Sequence, residues 1–312
     1  LNVTPSTNSD CESIIHLYQR YGIEYTLQNL DGVFAFALYD SNINMAFIAR
    51  DPLGVRPLYY GQTADKLLVF SSLLKQVSGL CDTCQNFNAG TYIQFTMTNG
   101  EFECSNPHSP YTAFNYNHNI IGNHLAMVSN HQTNEHSKVI YDTLLEAVRK
   151  RVITMERNMA CLLSGGLDSS LISALVSKFV PRGQLQTYSI GMSGGSDLEY
   201  ARMVSKHIHS KHTEIILTEY DFFSAIPEVI YNIESYDTTT VRASVGNYLV
   251  AKYIAEHSDA KVIFNGDGSD ELTGGYMYFH NCPSDIEFDY ECKRLLTNLQ
   301  YYDVLRSDRS IS

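Results

Sequence analysis

The chain has 312 residues, 44% of them apolar and 18% charged, with a net charge of −12. Those values describe an ordinary globular protein of about two domains. So acidic a balance argues against nucleic acid as the main partner, because a phosphate backbone requires a basic surface, and no stretch approaches the roughly 18 continuous apolar residues of a membrane span.

Leu1-Asn2-Val3-Thr4-Pro5 carries neither the basic segment nor the apolar core of a signal peptide. Position 1 is not Met and the chain opens as if inside a domain, so a segment of a longer protein is expected. The cysteines, at 11, 81, 84, 104, 161, 282 and 292, are seven in number and scattered. That usage suits reduced thiols in a cytoplasmic protein. Cys81 and Cys84 form a lone C-x-x-C without a second pair at metal spacing, so free loop thiols are expected there rather than zinc.

Ser9-Asp10-Cys11-Glu12 precedes Ile14, Ile15, Leu17 and Tyr18 at helical spacing, and Ser9 or Asp10 would serve as the cap. Leu30 to Asp40 reads as a strand, Ser41 to Asn44 as a turn and Met45 to Ala49 as the returning strand. Both faces of this hairpin are apolar, which predicts cover on both sides. Arg50-Asp51-Pro52-Leu53-Gly54 opens a rigid loop that re-enters a strand at Tyr59-Tyr60, and Leu67 to Ser72 and Gly90 to Phe95 supply further strands. The first half is therefore expected to be layered, mostly antiparallel α+β. Asn106 to His136 is rich in Asn, His, Pro and Ser and reads as an interdomain connection. Its histidines, at 108, 118, 124, 131 and 136, have no metal-ligand spacing.

Ser137 is expected to cap a helix with the apolar face Val139, Ile140, Leu144, Ala147, Val148 and Val152. The apolar run 159–163 then stops at Ser164-Gly165-Gly166, and Asp168-Ser169-Ser170 leads into a helix-like stretch over 171–180. Strand, tight glycine turn and helix start turn backbone N–H groups into one concavity and add a partial positive charge. Such a concavity suits phosphate or pyrophosphate. Asp168 beside it can hold a divalent cation. Neither G-x-x-x-x-G-K-[ST] nor G-x-G-x-x-G is present, which excludes a Walker loop and a dinucleotide fingerprint.

Further strands are expected at Gln186 to Gly191, Thr213 to Leu217 and Lys261 to Asn265. Helices are expected at Glu199 to His209, Tyr220 to Ser235 and Asn247 to His257. This alternation predicts a parallel sheet covered on both faces, with ligands gathering at the strand ends Ser164, Gly191 and Asn265. Gly266-Asp267-Gly268-Ser269-Asp270-Glu271 is a second glycine-rich acidic loop. Two acidic loops facing one nucleotide require a cation between them, and Asp168 with Asp270 are the pair expected to hold Mg²⁺.

Ser164 to Ser170 resembles the pyrophosphate loop of ATP-pyrophosphatases, which cleave ATP between the α and β phosphates. Ser9-Asp10-Cys11-Glu12, Leu30-Asp31-Gly32 and Arg50-Asp51-Pro52-Leu53-Gly54 resemble the later part of a class II glutamine amidotransferase domain. Together with Tyr188 to Met192, Asp197-Leu198, Tyr236 to Ser244 and Gly266 to Tyr278, they make nearly the whole chain similar to the glutamine-hydrolysing asparagine synthetases. The resemblance implies an incomplete Ntn-hydrolase-like αββα sandwich over 1–115 and a linker over 116–136. An α/β parallel-sheet, Rossmann-like ATP-pyrophosphatase domain over 137–312, cut short at its end, would follow.

The implied reaction converts aspartate to asparagine through a β-aspartyl-AMP intermediate, with ATP and Mg²⁺, releasing AMP and pyrophosphate. Ammonia, free or tunnelled from glutamine, displaces AMP. By position, Leu163 and Ile190 flank adenine and ribose. Ser164, Gly165, Gly166, Asp168, Ser169 and Ser170 hold pyrophosphate and magnesium. Asn265 and Gly266 line the nucleotide and aspartate site, and Thr239 and Arg242 contact phosphate. Asp10 matches the residue that binds the glutamine α-amino group.

Several departures accompany the resemblance. Residue 1 is Leu, no Cys precedes Ser9-Asp10, and the upstream arginine and Asn-Gly oxyanion segment are missing, so this segment is not expected to hydrolyse glutamine. The family's catalytic Lys would lie beyond Ser312, and Tyr301 to Ser312 reads as an interrupted helix. The family sequence Ser-Gly-Glu stands here as Asn265-Gly266-Asp267, and Asp267 keeps the charge with one methylene less. A β-lactam-synthetase-like adenylating enzyme and an inactive nucleotide-binding paralogue are the alternatives. The sequence leaves the oligomeric state open, a homodimer included.

Overall fold

The computed structural model describes residues 3–7, 9–98, 101–110 and 130–301. The chain divides into two compact units, Leu1–Tyr116 and Asn117–Ser312.

In the first unit, helix α1 spans Glu12–Asn29 and kinks at Gly22, where φ is +81°. Neither Ser9 nor Asp10 caps it with a side chain, contrary to the sequence expectation. The Glu12 carboxylate reaches back instead and accepts the backbone N–H groups of Ser6 and Thr7, each at 2.7 Å. The first N–H groups of the helix, on Glu12, Ser13 and Ile14, donate to the carbonyls of Ser9, Asp10 and Cys11 at 3.2, 3.1 and 3.1 Å, which leaves no need for a side-chain cap. The bonds from Ser6 and Thr7 hold the Glu12 carboxyl well below the usual range.

Strand β1 spans Ala35–Asp40. The sequence places its start at Leu30, but Leu30 serves as the C-cap of α1, its N–H bonded to the Thr26 carbonyl at 3.1 Å. Strands β2 (Met45–Arg50), β6 (Thr91–Thr98) and β7 (Glu101–Pro110) complete an antiparallel sheet in the order β1-β2-β6-β7. Strands β3 (Tyr59–Gln62), β4 (Leu68–Ser71) and β5 (Thr83–Asn86) form a second one in the order β4-β3-β5.

Ile23 and Leu27 of α1 pack on Phe47, Ala49 and Tyr92 of the first sheet. Its other face shares Ile48, Ile93 and Phe95 with Leu58, Phe87 and Tyr60. Helix α2 (Leu74–Ser78) places Val77 against Tyr59 and Cys81 on the far side. The layers therefore run helix, sheet, sheet, helix, as the resemblance implied. Cover on both faces holds for β2 but not for β1, which leaves Ala37 and Tyr39 exposed at the sheet edge.

The segment from Asn106 read as a connection is strand up to Pro110, because β6 pairs Thr91 with Pro110 and Tyr92 with Ser109. The same segment is helical again from Asn130. Residues 111–129, with His118 and His124, and the tail 302–312 lie outside the described residues.

The second unit begins with α3 (Asn130–Ile153), which buries Val148 and Val152 but leaves Val139 and Ile140 exposed, unlike the expected face. It continues β8 (Met159–Leu162), α4 (Leu167–Ser177), β9 (Gln186–Met192), α5 (Ser196–Ile208) and β10 (Lys211–Leu217). Then come α6 (Glu219–Ile233), α7 (Thr238–His257), β11 (Val262–Phe264), α8 (Ser269–Thr273) and α9 (Asp285–Asn298).

All strand pairs are parallel, in the order β10-β9-β8-β11. One face packs Cys161 and Leu185 on Val148, Val152, Leu175 and Val176, from α3 and α4. The other packs Ala160, Tyr188 and Ile215 on Val250 and Ile254 from α7. Strands β8, β9 and β10 step outward in one direction, and β11 returns to the opposite side of β8. The ends of β8 and β11 therefore lie where strand order reverses, the position at which open α/β sheets form a crevice. No helix among the described residues is long and apolar enough to cross a membrane.

Candidate active site

The loop after β8 is built from its own hydrogen bonds. Leu163 is buried and extends the sheet by donating its N–H to the Tyr188 carbonyl at 2.8 Å. The Ser164 and Ser169 hydroxyls lie 2.9 Å apart, and the Ser164 N–H donates to the Ser169 hydroxyl at 3.2 Å. Gly165 has φ +89°, and a Cβ there would lie 2.6 Å from the Ala201 nitrogen in α5. Only glycine fits both conditions.

Helix α4 begins at Leu167, not near Leu171, so Asp168, Ser169 and Ser170 form its first turn. The backbone N–H groups of Asp168 and Ser169 thus belong to the orphan donors of a helix N-terminus, while that of Ser170 donates to the Gly166 carbonyl at 3.1 Å. The Ser170 hydroxyl oxygen is buried and has no hydrogen-bond partner.

The loop after β11 is fitted onto the first. A Cβ on Gly266 would lie 2.8 Å from the Ser169 nitrogen and 2.9 Å from Asp168 Cβ. Ser269 donates its hydroxyl to Asp168 Oδ1 at 2.7 Å, joining the two loops directly. Asp270 follows at once, its carboxylate against Gly275. Asn265 donates its amide to Asp267 Oδ2 at 2.9 Å, and Asn247 approaches the same oxygen at 3.4 Å. Ile190 is half-buried on β9.

Helix α7 starts at Thr238 rather than near Asn247, because Asp237 caps it by accepting the Thr240 N–H at 2.8 Å. Thr239 and Arg242 therefore stand on its first turns. They line a cavity of about 510 Å³ together with Glu271, Tyr276, Glu291 and Arg294. Arg294 forks onto Glu291 at 2.7 Å through both Nε and Nη2. That fork holds the Glu291 carboxyl down at about 2, while burial and Glu291 push the Tyr278 hydroxyl up to about 12.

The structure thus gathers Asp168, Ser169, Gly266 and the turn bearing Asp270, and sets Thr239 and Arg242 in the adjoining cavity. Asp10 belongs to the first unit, exposed at the start of α1, and its carboxylate accepts no hydrogen bond among the described residues. Sequence reasoning assigned no role to Ser269, Glu271, Tyr276, Glu291 or Arg294. The first three stood in the quoted motif and could have been singled out. Glu291 and Arg294 carry only an i, i+3 charge pattern, which also marks a solvated helix face.

Family models match both parts of the chain. Residues 139–310 match the asparagine synthase model and residues 1–139 the glutamine amidotransferase domain model. The chain belongs to the asparagine synthase family. Glutamine-hydrolysing asparagine synthetases from Cricetulus griseus and Homo sapiens are each 40% identical to it, over 97% of this chain and 56% of the relative. The one from Gallus gallus is 41% identical over 96% of this chain and 56% of its own length. The chain spans about half the length of these curated relatives.

Proposed function

We propose that the full-length protein amidates aspartate to asparagine at the expense of ATP, releasing AMP and pyrophosphate, with ammonia drawn from glutamine. The observation that carries this reading is the Ser269–Asp168 bond of 2.7 Å at the strand-order reversal. It fixes a carboxylate beside a helix N-terminus and a glycine loop, the arrangement that suits a pyrophosphate with a cation. The relatives described above are named glutamine-hydrolysing asparagine synthetases.

In this mechanism the aspartate β-carboxylate attacks the ATP α-phosphorus. The bond from that phosphorus to the bridging oxygen breaks, and pyrophosphate leaves. Backbone N–H groups of Gly165, Asp168 and Ser169 and the Ser170 hydroxyl bind the departing pyrophosphate, with Ser164 and Gly166 shaping the loop through their own hydrogen bonds, and Leu163 and Ile190 flank the adenosine. Arg242 and Thr239 receive charge that grows on phosphate oxygens. Asn265 and Gly266 line the wall shared by nucleotide and aspartate, and Asp267 faces the step in which ammonia displaces AMP from the acyl carbon. Asp10 would pair with the α-amino group of glutamine in the amidotransferase unit.

Asp168 and Asp270 offer hard carboxylate oxygens from two joined loops. That donor set fits Mg²⁺, which takes one or two carboxylates and completes its shell with phosphate oxygens and water. When bound, the ion would neutralise charge on the β and γ phosphates. The test is product analysis with ATP, magnesium, aspartate and ammonia. AMP with pyrophosphate is expected, and ADP with phosphate would refute the reading.

A further inference from the structure

Glu271 is a buried carboxylate that the reaction above leaves without a task. It is only 2% exposed, yet it lines the 510 Å³ cavity beside Thr239 and Arg242. The Tyr276 hydroxyl donates to its Oε1, and among the described residues its Oε2 accepts nothing. The other two carboxylates of the cavity are already committed. Glu291 takes the fork of Arg294 and the Tyr278 hydroxyl at 2.8 Å, and Asp237 caps α7 through the Thr240 N–H and hydroxyl at 2.8 and 2.9 Å.

A carboxylate oxygen that lines a cavity without a protein partner can accept a charged donor from a ligand there, and such a bond is stronger in a low-dielectric site than in water. Arg242 and Arg294 also line the cavity, and the Arg242 side chain makes no hydrogen bond among the described residues. A buried carboxylate beside guanidinium groups complements a zwitterion rather than a bare divalent cation. The volume is ample for an amino acid.

We infer that Glu271 receives the α-ammonium group of the amino-acid substrate, and that Tyr276 fixes the carboxylate in the rotamer that does so. This rests on the reading that the site activates aspartate. Glu271 follows Asp270 directly in α8, so the same helical turn would set the amino acid's backbone end beside the phosphate end of the site.

The test uses the full-length protein with ammonia as donor and AMP release as readout. In Glu271→Gln the KM for aspartate rises roughly 10- to 100-fold, as expected for losing a buried charged hydrogen bond. The KM values for ATP and magnesium stay within about twofold. Succinate, which lacks the ammonium, serves as the competing probe, and its Ki stays within about twofold in the same variant. Tyr276→Phe gives the same pattern at about three- to tenfold.

A rise in the ATP or magnesium KM equal to that for aspartate overturns the inference. So does a succinate Ki that weakens in parallel, which would mark Glu271 as structural. Should Glu271→Gln melt far below the wild type, the aspartate-to-succinate contrast in Tyr276→Phe decides. Wild-type protein that forms no AMP from aspartate refutes the parent reading and this inference with it. Active wild type with an unchanged contrast refutes this inference alone.

Discussion

The two glycine loops at the reversal of strand order are built in opposite ways. The first, Ser164 to Ser169, closes on itself through paired serine hydroxyls and is pinned by Gly165 against α5. The second, Gly266 to Gly275, keeps its internal bonds in and beside the short helix α8, and its two ends take their place from neighbours: Ser169 and Asp168 at one, and Phe288 of α9 packed on Gly274 at the other. A self-closing loop tolerates disturbance elsewhere. A loop held by its surroundings transmits it.

Two glycines with the same φ of +89° test that contrast most severely. Gly165→Ala adds an overlap with the Ala201 nitrogen to the left-handed strain and should cost about 2–5 kcal/mol in urea unfolding. Gly268→Ala, with no atom within 4 Å of the new Cβ, should cost only about 1–2 kcal/mol. Equal losses would mean that α5 does not pin the first loop.

Gly266→Ala should destabilise by about 1–3 kcal/mol, yet reduce AMP formation on the order of 100-fold, because it wedges the loops apart where positioning matters. Activity that falls no further than stability would break the claim that the second loop relays its position to Asp168.

A titration distant from both loops should affect them equally. His212 on β10 lies between the Thr187 hydroxyl at 2.9 Å and the Ser189 hydroxyl at 3.1 Å. Burial holds its pKa below 6.5, with Glu214 opposing and Arg202 reinforcing that shift. The unfolded chain therefore takes up the proton first. The contribution is complete above pH 6.5 and drains as pH falls below it, at no more than about 1.4 kcal/mol per pH unit. Thermal melts from pH 8 to 5 should show this slope, and His212→Asn should lose it.

Ser269→Ala removes the bridge between the loops and should cost about 1 kcal/mol, with weaker magnesium activation of AMP release as its signature. An unchanged magnesium requirement would place the Asp168 carboxylate outside cation binding. The smallest effect belongs to Asp267→Glu. This exposed carboxylate is tied to Asn265 and Asn247, and lengthening it should alter the rate by less than about threefold.

Much of this was legible in the residues. Glycine followed by Asp-Ser-Ser after an apolar run specifies a strand, a turn and a helix start through local sterics and hydrogen bonding alone, and alternation of strands with helices specifies a parallel sheet. Boundaries were less legible where a neighbour competed for the backbone. Leu30 went to the end of α1, and Asn106 to Pro110 went to the β6 partner. Thr238 entered α7 early because Asp237 caps it. At the start of α1 the carbonyls of Ser9 and Asp10, not their side chains, take the first N–H groups, and a backbone acceptor has no sequence signature.

The sequence by itself determined the first loop. Its own hydrogen bonds close between Ser164, Gly166 and Ser169, and glycine at 165 permits the turn that α5 then packs against. Only the tertiary structure decided which side chains share the adjoining cavity. Glu271, Tyr276, Arg242 and Arg294 come from three helices and a turn. No local pattern fixes how deeply Glu271 is buried, because burial is a property of everything packed around a residue.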